Sequence, residues 1–244
     1  MRFFLTSYQK SGTHQIMPAL GIRPDIVDRS GNDVRNIPFG YNVSREIMKD
    51  GVQKTCSDLE NFGGTAFGHI SYLPEFWNSL QKTPTKVLFN IRDPRDVVVS
   101  NYYNIRRLHF GRDPGHGHLN YFNNDTGKCL MDMDDPLSEL IKIEAARWKH
   151  WLGWLDQDPE LFMVVRYDEL RQSGRETLER IFEWATPHMF PDIEHSLKVM
   201  SPKMEKTTVR RCIVGEHKEL FEERHMKLAN ELMGDTIERL GYEI

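Results

Sequence analysis

Lys10, Ser11, Gly12 and Thr13 place an ammonium, two hydroxyls and a glycine turn within four residues. That combination suits an anion. Backbone N–H groups of a glycine-containing turn, with the unpaired donors and positive dipole end of a following helix, make a phosphate cradle. Lys10 would add a point charge, and the hydroxyls of Ser11 and Thr13, with Thr6 or Ser7 behind them, would add donors. A Walker A loop needs its Lys after the second glycine, whereas Lys10 precedes Gly12. This argues against an ordinary ATPase or GTPase. A polar turn joining a buried strand to its crossover helix would carry the same tetrapeptide, so the reading depends on what else the chain holds.

Two further basic segments bear on it. Arg92 ends the apolar run Val87–Ile91, and Ser100 falls two turns into the helix that Pro94 opens, where a missing N–H costs nothing. An Arg at a strand end and a Ser from a helix can make a fork for a second phosphate. Pairing of Arg92 with Asp93 or Asp96 is the structural alternative. Arg210 and Arg211, followed by Cys212 and then Gly215, lie in a stretch with no helical or strand period. They suit a loop folded over an anionic ligand, and equally a solvated basic loop.

The elements that must position these groups are legible as pattern. Short apolar strands are expected at about 2–7, 66–70, 86–92 and 162–167, with helical stretches between them. Such wide spacing implies crossovers, hence an α/β fold with a central parallel sheet flanked by helices. Ala145, Trp148, Trp151, Leu152, Trp154 and Leu155 recur at helical spacing, so a helix over about 136–156 should pack a Trp-rich stripe on the sheet. Leu220 to Leu240 reads as a closing helix. Residues 21–42 and 108–136 are rich in Gly, Pro, Asp and Asn and read as binding loops. His109, His116 and His118 fall in the second, with no carboxylate or Cys at metal-ligand spacing, so no metal site is assigned.

The chain of 244 residues with 39% apolar content can bury one substantial core, so a single domain over residues 1–244 is expected. A formal charge of -4 argues against a general nucleic-acid binder. Cys56, Cys129 and Cys212 are too scattered for a disulfide framework or a zinc site, which favours a reducing cytoplasm. No apolar run approaches the ~20 residues of a membrane span.

Together, Ser7–Thr13, Ile91–Tyr103, Val165–Leu170 and Arg210–Lys218 resemble, in the same order, the motifs of the sulfotransferase family that uses 3′-phosphoadenosine 5′-phosphosulfate (PAPS). The resemblance implies a P-loop-like single domain, and with no apolar run of membrane-span length the anchor of Golgi-type members is not expected. It implies that Lys10, Ser11, Gly12, Thr13 and His14 hold the 5′-phosphosulfate. Arg92, Ser100 and Arg210 would hold the 3′-phosphate, Arg211 and Cys212 would join Arg210 in the family's cofactor-binding Arg-Lys-Gly loop, and Tyr167 would line the adenine side. Phe67–Pro74 resembles the family's strand-end His before Leu-Pro, which makes His69 the general base. On pattern alone, a lone His on an apolar strand is equally a core residue.

This chain has Gln9 where the family commonly has Pro, Gln15 where it has an adenine-stacking Trp, and Phe67 where a Lys is frequent. Arg211, Cys212 and His217 replace a customary Lys, Gly and Trp. The implied reaction is metal-free sulfuryl transfer to a hydroxyl or amine of a small soluble acceptor, giving adenosine 3′,5′-bisphosphate (PAP), with Lys10 stabilising the leaving phosphate. The expected partners are that acceptor and, at most, a second copy of the chain, with no nucleic acid and no membrane. The rival readings are a phosphoryl transferase, which lacks its Walker Lys here, and a catalytically silent PAP-binding protein.

Overall fold

The computed structural model describes residues 2–20, 36–37, 65–82, 85–110, 129–185, 192–200 and 213–244. The chain divides into two compact units, Met1–Arg92 with Trp151–Glu205, and Asp93–His150 with Lys206–Ile244.

The first unit holds the sheet. Its strands are β1 (Arg2–Ser7), β2 (Asn36–Ile37), β3 (Thr65–Gly68), β4 (Thr85–Ile91) and β5 (Phe162–Arg166), in the order β2-β3-β1-β4-β5. All of these pairings are parallel. A parallel sheet has helices on its faces, so its central strands carry apolar residues on both sides, and the period of two sorts them. Leu5, Leu88 and Val165 share a core with Ile16 and Met17 of α1 (Thr13–Ala19), Leu170 of α5 (Tyr167–Gln172), and Leu178 and Ile181 of α6 (Gly174–Ala185). Side chains an odd number of residues away in the strands meet aromatic partners. Phe4 packs edge-on to Phe76 of α2 (Pro74–Gln81), Phe89 stacks on Trp151, and Phe162 stacks on Trp154.

In the second unit, α3 (Pro94–Phe110), α4 (Pro136–Trp148), α8 (His217–Leu220) and α9 (Glu223–Arg239) are joined by buried polar bonds. Asn101 Nδ2 donates to Glu144 Oε1 at 2.9 Å, and Arg147 donates to the same oxygen at 2.9 Å. His225 accepts from the Glu222 N–H at Nδ1, so Nε2 carries the proton and donates to Asp135 Oδ1 at 3.1 Å. In the first unit, α7 (Ile193–Met200) is fixed by Ser196 Oγ donating to the Ala19 carbonyl at 2.8 Å.

Three expectations need correction. The strand placed at 66–70 ends at Gly68, which leaves His69 just past it. The helix placed at 136–156 stops at Trp148, and Leu152–Asp156 forms a separate 3₁₀ turn. In a 3₁₀ turn residues three apart eclipse, so Trp151 and Trp154 come to one side and supply the contacts to Phe89 and Phe162. Gly153 permits this, because a Cβ there would lie 2.2 Å from the Tyr72 ring. The closing helix begins at Glu223 rather than Leu220. Residues 21–35 and 38–42, and residues 111–128, fall outside the described residues.

Candidate active site

The turn after β1 is left-handed on both sides of Ser11. Lys10 has φ 65° and Gly12 has φ 85°, both left-handed. For Lys this conformation costs about 1–2 kcal/mol, and such strain persists only where surrounding structure holds it. The holding bonds are present. Ser11 N donates to the Tyr8 carbonyl at 3.3 Å, Asn90 Nδ2 donates to the Ser11 carbonyl at 2.7 Å, and Gln15 N donates to the Gly12 carbonyl at 2.8 Å. Ser7 Oγ lies 3.0 Å from the Tyr8 carbonyl and 2.5 Å from Thr13 Oγ1. A carbonyl only accepts, so Ser7 donates to it and Thr13 donates to Ser7. Ser11 Oγ, by contrast, is fully buried with no hydrogen-bond partner among the described residues. A buried hydroxyl left in this state is what a ligand oxygen would satisfy.

His69 sits beside the same turn. Its Nδ1 is 2.6 Å from the Ser7 carbonyl. The carbonyl accepts, so Nδ1 carries the hydrogen and Nε2 of the neutral ring keeps its lone pair. Burial holds the His69 pKa below the ordinary 6.5, against the raising effect of the Ser7 bond, and the positive fields of His14 and Lys10 add to the lowering. His14 is exposed, and its pKa is also lowered, first by desolvation and then by Lys10. Lys10, His14 and His69 thus form one electrostatically coupled cluster.

Arg92, just past β4, is buried, with its guanidinium carbon 4.7 Å from the centroid of the Tyr167 ring. Tyr167 opens α5 just after β5 and is also buried. The same ring packs on Gly12, where a Cβ would come within 2.5 Å of it. Glycine at position 12 is therefore required twice, by its φ and by this approach. Gly12, Tyr167 and Arg92 form a chain of contacts from the strained turn to the end of β4.

In the second unit, Arg95 closes on Asp93 through two bonds of 3.0 and 2.7 Å. Asp96 accepts from Gly215 N at 2.8 Å and from His217 N at 3.0 Å, with His217 Nδ1 2.7 Å away. Ser100 lies on α3 and is partly buried. Arg210, Arg211 and Cys212 fall outside the described residues.

Sequence reasoning missed the bracing hydrogen bonds of Asn90, Thr6 and Trp154. Asn90 is fully buried and braces the turn at Ser11. Thr6 Oγ1 and Trp154 Nε1 each donate to the Ile70 carbonyl at 3.0 Å, one residue past His69. Thr6 and Ser7, read as anion donors, direct their hydroxyls to protein carbonyls. A buried Trp or Asn needs a polar partner, which was the available signal, but spacing does not reveal which partner it finds.

Residues 1–241 match the sulfotransferase domain family. The chain belongs to the sulfotransferase family. It is 22% identical to sulfotransferase 2A1 of Macaca fascicularis over 191 residues, which are 77% of this chain and 60% of that protein. To 3-beta-hydroxysteroid sulfotransferase of Cavia porcellus it is 28% identical over 142 residues, 57% of this chain and 45% of the relative. The matches thus span 60% or less of these relatives' lengths. A crystal structure of mouse sulfotransferase SULT7A1 complexed with PAP superposes with a TM-score of 0.63 at 16% identity, covering 97% of this chain and 83% of that one. Retinol dehydratase in complex with androsterone and inactive cofactor PAP gives 0.59 at 12% identity, covering 100% and 83%. At these identities the structures establish the shared sulfotransferase fold. Among the described residues no helix is long and apolar enough to cross a membrane, and no group of three or more His, Cys, Asp or Glu could hold a metal.

Proposed function

We propose that this sulfotransferase-family chain transfers the sulfuryl group of PAPS to a hydroxyl of a small-molecule acceptor. The observation that carries this reading is the pairing at the end of β1. Ser7 feeds a strained turn with a buried, unpartnered Ser11 hydroxyl, and its carbonyl holds His69 with Nε2 as the acceptor nitrogen. PAPS supplies an activated sulfuryl group on a phosphate leaving group. Lys10, Ser11 and the first-turn N–H groups of Thr13 and His14 bind its 5′ end. His69 Nε2 takes the acceptor proton as the acceptor oxygen bonds to sulfur and the sulfur–phosphate oxygen bond breaks. The electron pair of that bond stays on the phosphate, where Lys10 stabilises it, and His69 leaves the step as imidazolium. The chain's own groups carry this chemistry, so the reaction is proposed to need no metal.

Arg92, stacked on Tyr167, reads the 3′-phosphate in this proposal. The roles of Ser100, Arg210, Arg211 and Cys212 rest on motif resemblance. The solved relatives include complexes with androsterone and with retinol, which supports a small acceptor bearing a hydroxyl. The scattered cysteines support a cytoplasmic location. Calorimetric titration with PAP and with adenosine 5′-monophosphate tests the nucleotide assignment. Arg92→Ala should weaken PAP far more than the monophosphate, and equal losses for both would remove the 3′-phosphate from Arg92.

A further inference from the structure

The parallel ladder between β1 and β3 ends at the pair Thr6↔Gly68, so no strand pairing holds residues 69–71. Side-chain bonds do so instead. The Ser7 carbonyl takes the His69 ring at Nδ1, and the Ile70 carbonyl accepts both Thr6 Oγ1–H and Trp154 Nε1–H at 3.0 Å. A carbonyl oxygen has two lone pairs, and these two donors fill them. Thr6 and Trp154 are both fully buried. Trp154 is itself immobilised, stacked on Phe162 at an interplanar angle of 3° and met edge-on by Tyr72, Phe76 and Trp77. One donor comes from the central strand and the other from a rigid aromatic post, so the peptide that follows the base is gripped from two elements.

We infer that Thr6 and Trp154 are positioning residues for His69, acting through the Ile70 carbonyl. This rests on the reading of His69 as general base. Removing either donor frees one lone pair of a buried carbonyl and lets the peptide after His69 rotate. Nε2 then wanders from the acceptor proton, and a displacement of about 1 Å can cost up to 10²-fold in rate. Neither residue touches the nucleotide or the acceptor in this account, so ground-state affinity stays.

The test uses Thr6→Val, which keeps shape and strand propensity, and Trp154→Phe, which keeps a ring against Phe162. Each should lower kcat for an aliphatic alcohol by about tenfold, within the range for misplaced groups, while the Kd for PAP stays within about twofold of wild type. A nitrophenolate acceptor, already ionised, needs no base and should lose less than about twofold. The ¹⁵N spectrum of His69 should show the Nδ1–H tautomer in wild type and a mixture in both variants, a readout independent of turnover. Unchanged tautomer and unchanged alcohol turnover in Thr6→Val would overturn the inference, as would equal losses on alcohol and phenolate. His69→Asn separates the two readings. If it too fails to discriminate alcohol from phenolate, the base assignment falls; if it discriminates and the two variants do not, only the positioning role falls.

Discussion

The turn after β1 and the turn after β4 both carry a strand into a helix, yet they satisfy their polar groups in opposite ways. After β4, Pro94 occupies the first helical turn, and Asp93 accepts from Arg95 N at 2.9 Å and from the Arg95 guanidinium, while its carbonyl accepts from Val97 N at 3.0 Å. Asp93 and Arg95 answer each other here, and Asp96 is answered by Gly215 and His217. After β1, two residues adopt left-handed backbone, and Ser11 is buried with its hydroxyl unpartnered among the described residues. A turn that completes itself contributes stability. One that is strained and incomplete has capacity reserved for something outside the chain, and that is where binding and chemistry are expected.

Substitutions can break this contrast. The largest expected effect is at Asp93, whose loss leaves the buried Arg95 uncompensated. Asp93→Ala should reduce stability by about 3–5 kcal/mol, the usual cost of breaking a buried pair, measured by urea unfolding. PAP affinity of the folded protein should hold or rise, and a normal unfolding midpoint with lost PAP affinity would make the second turn a ligand site instead.

Lys10 sharpens the contrast from the other side. Lys10→Gly removes both the ammonium and the strain of φ 65°, so unfolding should show equal or greater stability. In stopped assays kcat should fall by roughly 10²–10³, typical for one donor at a developing oxyanion. A variant that loses stability and keeps turnover would show that the turn is merely structural.

The smallest effect is on pH dependence. In the proposed mechanism neutral His69 is the reactive form, and its pKa is held below 6.5 by burial and by the positive charge of His14 and Lys10. The acidic limb of kcat/KM, which reports the free enzyme, should therefore fall below pH 6.5. Lys10→Gly removes one lowering influence, so the residual activity's limb should move up towards 6.5. A limb that moves down, or stays, would separate Lys10 from His69.

Strands β1, β4 and β5 were legible because apolar runs end at turn residues, and the parallel sheet followed from their spacing. The turn at Lys10–Thr13 and the place of His69 beside it were legible through motif order. What sequence could not supply were tertiary contacts. Asn90 bracing Ser11, the Tyr167 ring on Gly12, and Trp154 at Ile70 join residues 79, 155 and 84 positions apart. Trp154 was read as part of a helical stripe. Its packing against the sheet side chain Phe162 is real, but its backbone is a 3₁₀ turn and its indole nitrogen serves the loop after β3. Periodicity registers the hydrophobic half of such a residue and is blind to its polar end.

The bond from His69 to the Ser7 carbonyl joins a side chain to main chain. Every amino acid carries that carbonyl, so no substitution at position 7 deletes the acceptor. A change of residue there would cost the Ser7 hydroxyl's bonds to Tyr8 and Thr13 but would not erase the atom that sets the imidazole tautomer, so the proton-accepting face of the ring is insulated from mutational drift in its nearest neighbour.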